Sequence, residues 1–571
     1  MLSAIRRSPG PVLPFHVPKW RTALNRADSP FHRSPCENAS EHLPSPNAAA
    51  PAWKPRYNPW IIALTVTLAT FMEVLDTSIA NVALPHIAGG LSATQDESTW
   101  VLTSYLVSNA IILPISAWLS VLVGRKRFYM TCVTLFTISS FLCGFAQSLG
   151  MLVLFRVMQG FGGGGLATSE QAILADTFSP EKRGMAFAVY GMAVVLAPAI
   201  GPTLGGWITD NYSWRWIFYI NVPVGLLSLY LTQKIVEDPP YIESERQKMK
   251  KNRIDYMGLG LITVGMGCLQ VVLDKGQEDD WFSSPKILTL SVMAVVLIAW
   301  FLVNEWFHAN PIVDIKLLKQ RNFATAVLMM FVLGMVLFGT TVLIPQFLQV
   351  LLGYTAEQAG KALSAGAVVL IFMMPIVGRL VTKVDPRKLV AIGFGATAIA
   401  LYHMTVLNLG IDFKTAAMMR VYQTIGLAFI FIPINTLSYV GMPPNKSNQI
   451  SGITNLARNI GGSIGISLLS TFLQRLSQVH QVYLSAHTSP GDPAFESQVS
   501  GIAQTFRAQG ATAAEATTQA YRMIERTLVG QATVLAYIDI ISVGAVAVAC
   551  LAPLAFIMKR PRRGAAPVAA H

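Results

Sequence analysis

From Trp60 onward, apolar runs of about 20 residues alternate with short polar segments, and each run is long enough to cross a hydrocarbon core of about 30 Å as a helix. Fourteen runs follow one another, at roughly 60–84, 98–122, 128–148, 150–174, 184–208, 215–236, 256–273, 287–307, 323–349, 357–381, 388–408, 415–440, 450–474 and 533–557. Two are weaker than the rest: 256–273 is short and Gly-rich, and 450–474 carries Arg458 and Asn459. The pattern predicts an all-α polytopic membrane protein.

Composition agrees. A chain of 571 residues suggests three or four soluble domains, but only 13% of it is charged, against about 25% in soluble domains. The mean hydropathy is +0.48. Residues Met1 to Pro59 are different material, rich in Pro, Ser, Ala and Arg with no apolar period, and read as a disordered tail. The tail lacks the apolar core of a secretory signal. Its arginines Arg6, Arg7, Arg21 and Arg26 leave a transit-peptide reading open, and Asn38-Ala39-Ser40 matches a glycosylation sequon.

The net charge of +13 is a nucleic-acid signal only if the basic residues form one patch. Here Arg125, Lys126, Arg127, Lys182, Arg183, Arg246, Lys248, Lys316, Lys319, Lys383 and Arg387 fall in alternate loops, and Lys559, Arg560, Arg562 and Arg563 follow the last run. That asymmetry places both termini in the cytoplasm, and nucleic acid is not expected as a partner. The five cysteines form no CxxC pair; the four inside apolar runs read as buried small hydrophobes.

The one long outer loop, 475–531, has two apolar stripes at helical spacing: Phe495, Val499, Ile502 and Phe506, then Tyr521, Ile524 and Leu528. Packing on the protein's own mouth is the favoured reading, and docking of an extracytoplasmic partner is the other. A weak internal repeat links the short basic loops at 119–127 and 378–388, eight runs apart, as in transporters built from two related halves.

An energy source is not evident. No GxxxxGK[ST] occurs, and Gly160-Phe-Gly162-Gly-Gly-Gly165 meets GxGxxG only inside an apolar run, where glycines let helices approach closely. No HExxH, GxSxG or metal cluster occurs, so neither cofactor nor metal is expected, and an enzyme is a minor alternative. The informative residues are polar ones inside the runs, which are costly there and normally paired or functional. Glu73 and Asp76 lie three apart on one helical face, as do Arg156 and Gln159, and Asp539 lies in the last run. The bland reading of Asp76 with Arg156 is an ion pair that only locks two helices. Asn81, Asn109, Gln159, Gln423 and Arg458 are candidates for a substrate cavity or its gating. In the fifth run Pro198 and Pro202 bend the helix, and Gly201, Gly205 and Gly206 offer a flat face.

Together these segments resemble the major facilitator superfamily, specifically its fourteen-span drug:proton antiporters of the EmrB/QacA type, with the EmrB branch most similar. Leu75-Asp-Thr-Ser-Ile-Ala-Asn-Val-Ala-Leu-Pro85 looks like the first-span motif, Arg156-Val-Met-Gln-Gly160 like the fourth-span motif with its buried arginine, and Gly201-Pro-Thr-Leu-Gly-Gly206 like the antiporter motif. Trp214–Gly225, Leu273–Ser284 and Asn310–Asp314 extend the likeness, which covers about Pro59 to Lys559. The loop after the second span departs from GxLxDRxGRR: Ala117, Val121 and Leu122 replace a glycine, the acid and an arginine, and Gly124, Arg125 and Lys126 remain as the candidate cytoplasmic gate loop.

The resemblance implies two six-helix bundles, 60–236 and 308–558, with a linker and two extra central helices in 237–307 and cytoplasmic tails at 1–59 and 559–571. It implies proton coupling through Asp76, Glu73, Arg156 and Asp539, and efflux of hydrophobic or amphipathic drugs across a bacterial inner membrane. A periplasmic membrane-fusion adaptor and an outer-membrane channel are the implied partners. An exporter dedicated to one native metabolite, such as a siderophore, and a non-transporting scaffold or sensor are the alternatives.

Overall fold

The computed structural model describes residues 53, 55–251, 254–308, 310–486, 488 and 491–559. Residues 1–52 and 54 of the tail read as disordered, with its sequon, and the C-terminal tail after Lys559 lie outside the described residues. What is described is helical, with no strand. In chain order the main helices are α1 Pro59–Gly90, α2 Trp100–Val123, α3 Arg125–Phe145, α4 Leu149–Gly163, α5 Leu166–Thr177, α6 Arg183–Asn211, α7 Asn221–Ile235, α8 Pro240–Lys251 and α9 Tyr256–Lys275. There follow α10 Pro285–Phe307, α11 Arg321–Val350, α12 Ala356–Lys383, α13 Pro386–His403, α14 Phe413–Ser438, α15 Ser447–Ser485, α16 Pro493–Ala508 and α17 Ala513–Leu551.

Among the described residues twelve helices are long and apolar enough to cross a membrane, α4 and α5 counting as one. The two other expected spans are also helical, and each fails one criterion for a physical reason. The span at 215–236 breaks at Ile220 into Trp216–Tyr219 and the 15-residue α7. The span at 450–474 lies in α15, whose polar residues Ser451, Thr454, Asn455 and Arg458 are buried against protein and need no apolar disguise from lipid. By contrast α10 turns Val292, Val295, Val296, Trp300, Val303 and Phe307 outward, the surface a lipid-facing helix presents.

The helices form two bundles that meet along a seam where α6 packs on α12, α2 on α15, and α5 on α15. The extra pair α9 and α10 leans on this seam through contacts of α9 with α2 and α15. Prolines inside α6 are accommodated by neighbours. Pro202 has no N–H for the carbonyl of Pro198, and that carbonyl accepts instead from Ser78 Oγ of α1 at 3.2 Å. One residue on, the Ala199 carbonyl accepts from Ser364 Oγ of α12 at 2.8 Å, so the bent segment touches both bundles. A methyl on Gly201 would stand 2.3 Å from Ser78 Oγ, and one on Gly205 3.0 Å from Ile79 Cγ2, whereas Gly206 faces open space. The flat face expected of three glycines is therefore built by two.

The stretch expected as an outer loop is mostly helix. α15 runs eleven residues past 474, α17 starts well before 533, and α16 lies between. Its apolar stripes pack on each other: Phe495, Val499 and Ala503 bury against Ala516 and Ala520, with Ile502, Phe506 and Ile524 at the margin. The Phe495 and Tyr521 rings lie 6.0 Å apart. Pairing two amphipathic stripes takes much of the first and part of the second out of water, with Tyr521 left half exposed, which single-helix spacing does not reveal.

Candidate functional site

Asp76 sits in the middle of α1 with its carboxylate fully occupied. Arg156 Nη1 of α4 donates to Oδ2 at 2.6 Å. Gln159 Nε2, one turn further along α4, donates to Oδ1 at 3.0 Å, and Asn221 Nδ2 of α7 donates to the same oxygen at 2.7 Å. The ion pair is buried, at 0% and 1% side-chain exposure. Arg156 is held further by Nε donating to the Val101 carbonyl at 3.0 Å, by Nη1 donating to Gln159 Oε1 at 2.8 Å, and by the Tyr105 ring 4.4 Å beneath its guanidinium. A charge-assisted network of this kind ties α1, α2, α4 and α7 together.

Glu73 points elsewhere. Its Oε1 accepts from Tyr105 Oη at 2.9 Å and from Asn109 Nδ2 at 3.3 Å. Tyr105 therefore bridges the two acids, its ring under Arg156 and its hydroxyl on Glu73. Sequence reading did not single it out. The glycine run makes this crowding possible. A methyl on Gly160 would stand 2.4 Å from the Tyr105 carbonyl oxygen, one on Gly162 2.7 Å from the Phe136 nitrogen, and one on Gly163 2.5 Å from Tyr105 Oη.

A second buried acid was missed. Glu170 on α5 is 0% exposed and accepts from Thr67 Oγ1 at 2.5 Å. Thr70, one turn along α1, brings its hydroxyl near the same carboxylate without closing a hydrogen bond of good geometry. Next to it, Gln171 Oε1 accepts from Asn455 Nδ2 of α15 at 2.9 Å. Tyr190 Oη of α6 donates to Asn455 Oδ1 at 3.1 Å and accepts from Arg458 Nη1 at 2.8 Å. Arg458 thus belongs to a polar chain that crosses the seam.

The remaining candidates separate. Gln423 joins Arg420 and Thr340 in the second bundle. Asn81 is exposed, five residues beyond Asp76. Asp539 pairs with His480 of α15 at 2.8 Å and is half exposed, so it shares nothing with the Asp76 network.

At the end carrying the basic loops, Gly124 takes φ +100°, a backbone that favours glycine. Arg125 Nη1 donates to Asp176 Oδ2 at 2.5 Å, and Nη2 to Tyr241 Oη of α8 at 2.6 Å. Asp176 Oδ1 accepts from Ser447 Oγ of α15 at 2.8 Å, so one carboxylate joins α3, α5, the linker helix and the second bundle. The Lys126 amide donates to Asp238 Oδ1 at 2.8 Å. Burial pushes the Asp238 carboxyl above its ordinary range, and the Lys126 amide opposes that shift. Asp176, Tyr241 and Asp238 lie outside the loop motif, which is why the motif alone did not point to them.

A family model described as the Major Facilitator Superfamily matches residues 66–466. Multidrug export protein EmrB of Escherichia coli (strain K12) is 39% identical over 449 residues, covering 78% of this chain and 86% of that protein. Fatty acid resistance protein FarB of Neisseria gonorrhoeae is 35% identical over 518 residues, covering 91% of this chain and 98% of FarB. Among solved structures, the proton:xylose symporter XylE superposes over 84% of this chain and 94% of its own, with a TM-score of 0.53 at 14% identity. The human organic anion transporter MFSD10 does so over 73% and 94%, with a TM-score of 0.51 at 12% identity. At those identities the two show a common fold alone.

Proposed function

Since this chain belongs to the major facilitator superfamily, we propose that it is a proton-coupled exporter of hydrophobic and amphipathic toxic molecules across a bacterial inner membrane. The relatives named for multidrug export and fatty acid resistance support that substrate class. The observation that carries the coupling is the buried Asp76–Arg156 pair, held by Gln159 and Asn221. An ionised Asp76 accepts hydrogen bonds at both oxygens and attracts the guanidinium. A protonated Asp76 loses the attraction and turns one oxygen into a donor, so α1 loosens from α4 and α7. Proton arrival and helix movement are then one event.

Glu73 has the complementary task. A substrate that displaces Tyr105 from Glu73 also disturbs the ring beneath Arg156, which links substrate entry to the pair. Asp539 is at most a peripheral acid, and Gly124, Arg125 and Lys126 with Asp176 form the gate that closes the cytoplasmic end. Bundles at 60–236 and 308–558 rock about the bent segment at Pro198, Gly201, Pro202, Gly205 and Gly206, and both termini are cytoplasmic. The test is transport in proteoliposomes under an imposed pH gradient: a gradient of either sign should set the direction of drug flux, and flux indifferent to it overturns the reading.

A tripartite assembly with a membrane-fusion adaptor and an outer-membrane channel is the second part of the proposal. α15 has 39 residues, about 58 Å at 1.5 Å per residue, and so projects far beyond a membrane core of about 30 Å. On the projecting hairpin Val479, Val482 and Met523 are exposed, which suits a docking surface. Val482→Ser with Met523→Ser should weaken co-purification of the adaptor several-fold while flux in proteoliposomes persists. Unchanged co-purification would remove this surface from consideration.

A further inference from the structure

The two halves carry the same short signature, Arg156-Val-Met-Gln159 on α4 and Arg420-Val-Tyr-Gln423 on α14, each with its arginine seven residues into the helix. The geometry repeats too. Arg156 Nη1 donates to Gln159 Oε1 at 2.8 Å and Arg420 Nη1 to Gln423 Oε1 at 2.7 Å. In the first half Gln159 Nε2 and the arginine converge on Asp76. In the second, Gln423 Nε2 and Arg420 Nη1 converge on Thr340 Oγ1 at 2.8 and 3.2 Å, and Arg420 Nη2 donates to Thr341 Oγ1 at 3.0 Å.

The second site thus has the cation and the amide of the first but a hydroxyl where the first has a carboxylate. Arg420 is buried at 4% exposure, and among the described residues no carboxylate pairs with it. Arginine does not relieve this by losing its proton, and neutral acceptors replace only part of the hydration it gave up. An anion brought from outside would complete the site as Asp76 completes its counterpart. A planar guanidinium flanked by two hydroxyls and an amide matches a carboxylate. One turn along both helices from Thr340 and Arg420, Leu343 and Ala416 begin a small apolar cavity that Phe347, Met419 and Tyr537 also line. Thr341, which accepts from the guanidinium, is only partly buried.

We propose that Arg420, Gln423, Thr340 and Thr341 form an anion subsite that takes the carboxylate of lipophilic acids, with the acyl chain against the adjoining apolar wall. The proposal rests on the efflux reading for its physiological meaning, and binding tests it separately. Purified full-length protein should be stabilised against thermal unfolding more by decanoate than by decanol. Arg420→Gln should abolish that preference, and Arg420→Lys should retain part of it because the charge remains. In proteoliposomes loaded with both substrates, the ratio of decanoate to ethidium efflux should fall about tenfold or more in Arg420→Gln, the scale of one lost hydrogen bond to a charged group.

An Arg420→Gln protein that keeps the decanoate preference overturns the proposal. So does a ratio that stays constant, whether both fluxes fall together or neither falls. Equal stabilisation by chloride replacing gluconate at the same ionic strength assigns the site to small inorganic anions and also overturns it. If neither compound is exported by the wild type while the Arg420-dependent binding preference holds, the subsite stands and the efflux reading fails.

Discussion

Asp76→Asn is expected to abolish gradient-driven export while leaving a folded, inserted protein. The substitution keeps the shape and removes the titrating group, so the accumulation driven by a pH gradient should fall by about a hundredfold, the scale on which a lost proton-transfer group acts. Asp76 accepts from Arg156 on one oxygen and from Gln159 and Asn221 on the other, so an amide nitrogen at either position meets a donor. That mismatch, together with a buried Arg156 left without its counter-ion, costs about 3–5 kcal/mol, tolerable against a typical stability of about 5–15 kcal/mol. Exchange of drug for drug at equal pH should survive, because that half-cycle needs no net proton. Arg156→Ala should behave worse than Asp76→Asn, since it breaks the same buried pair and also removes the side chain that holds the Val101 carbonyl, Gln159 and the Tyr105 ring. An Asp76→Asn protein that still concentrates drug at near-normal rate would move the coupling proton to another acid, with Glu73 and Glu170 the nearest buried candidates.

Gly461→Val is expected to remove most of the folded protein. α11 and α15 touch backbone to backbone: a methyl on Gly461 would lie 1.9 Å from the Phe331 carbonyl oxygen, and one on Gly334 1.9 Å from that of Arg458. No flexible side chain is available to yield, so the helices themselves must part. Overpacking by a single methylene already costs about 1–3 kcal/mol, and here a branched side chain meets main chain. Separating these helices also displaces Arg458 and breaks the polar chain to Tyr190 and Asn455 across the seam. The yield of monodisperse protein after detergent extraction should fall at least several-fold. Gly395→Ala, where a methyl meets open space, is the control, and its yield should match the wild type or exceed it slightly, as expected when a helical glycine is replaced without strain. Equal yields for Gly461→Val and the control would show that α11 and α15 separate more readily than their packing implies.

Apolar period and loop charge made the helices legible, and the pairing of Asp76 with Arg156 followed from two opposite charges inside the first and fourth apolar runs. What the sequence hid was partnership across distance. Glu170 carries the same signal as Glu73, an acid within a span, but it follows a glycine run and sits in Ala167-Thr-Ser-Glu-Gln171, which reads as a span ending. Arg420 lies near the end of its run and reads as a snorkelling residue until α11 is seen to bury it. The helical stripes of the outer segment were legible, but which face each would meet was not, because amphipathic spacing specifies a buried side and not the surface that buries it. The proposed gate was legible only in its retained loop residues, since Asp176, Tyr241 and Ser447, which bond to Arg125 or to one another, come from three other segments.

The most direct measurement is drug accumulation by purified protein in proteoliposomes, with internal and external pH set independently and with wild type and Asp76→Asn compared at equal incorporation. Proton-coupled export through Asp76 requires wild-type accumulation that follows the sign and size of the pH gradient, and an Asp76→Asn protein that equilibrates drug without ever concentrating it. Accumulation by the wild type that ignores the gradient, or by Asp76→Asn that still follows it, would contradict the account.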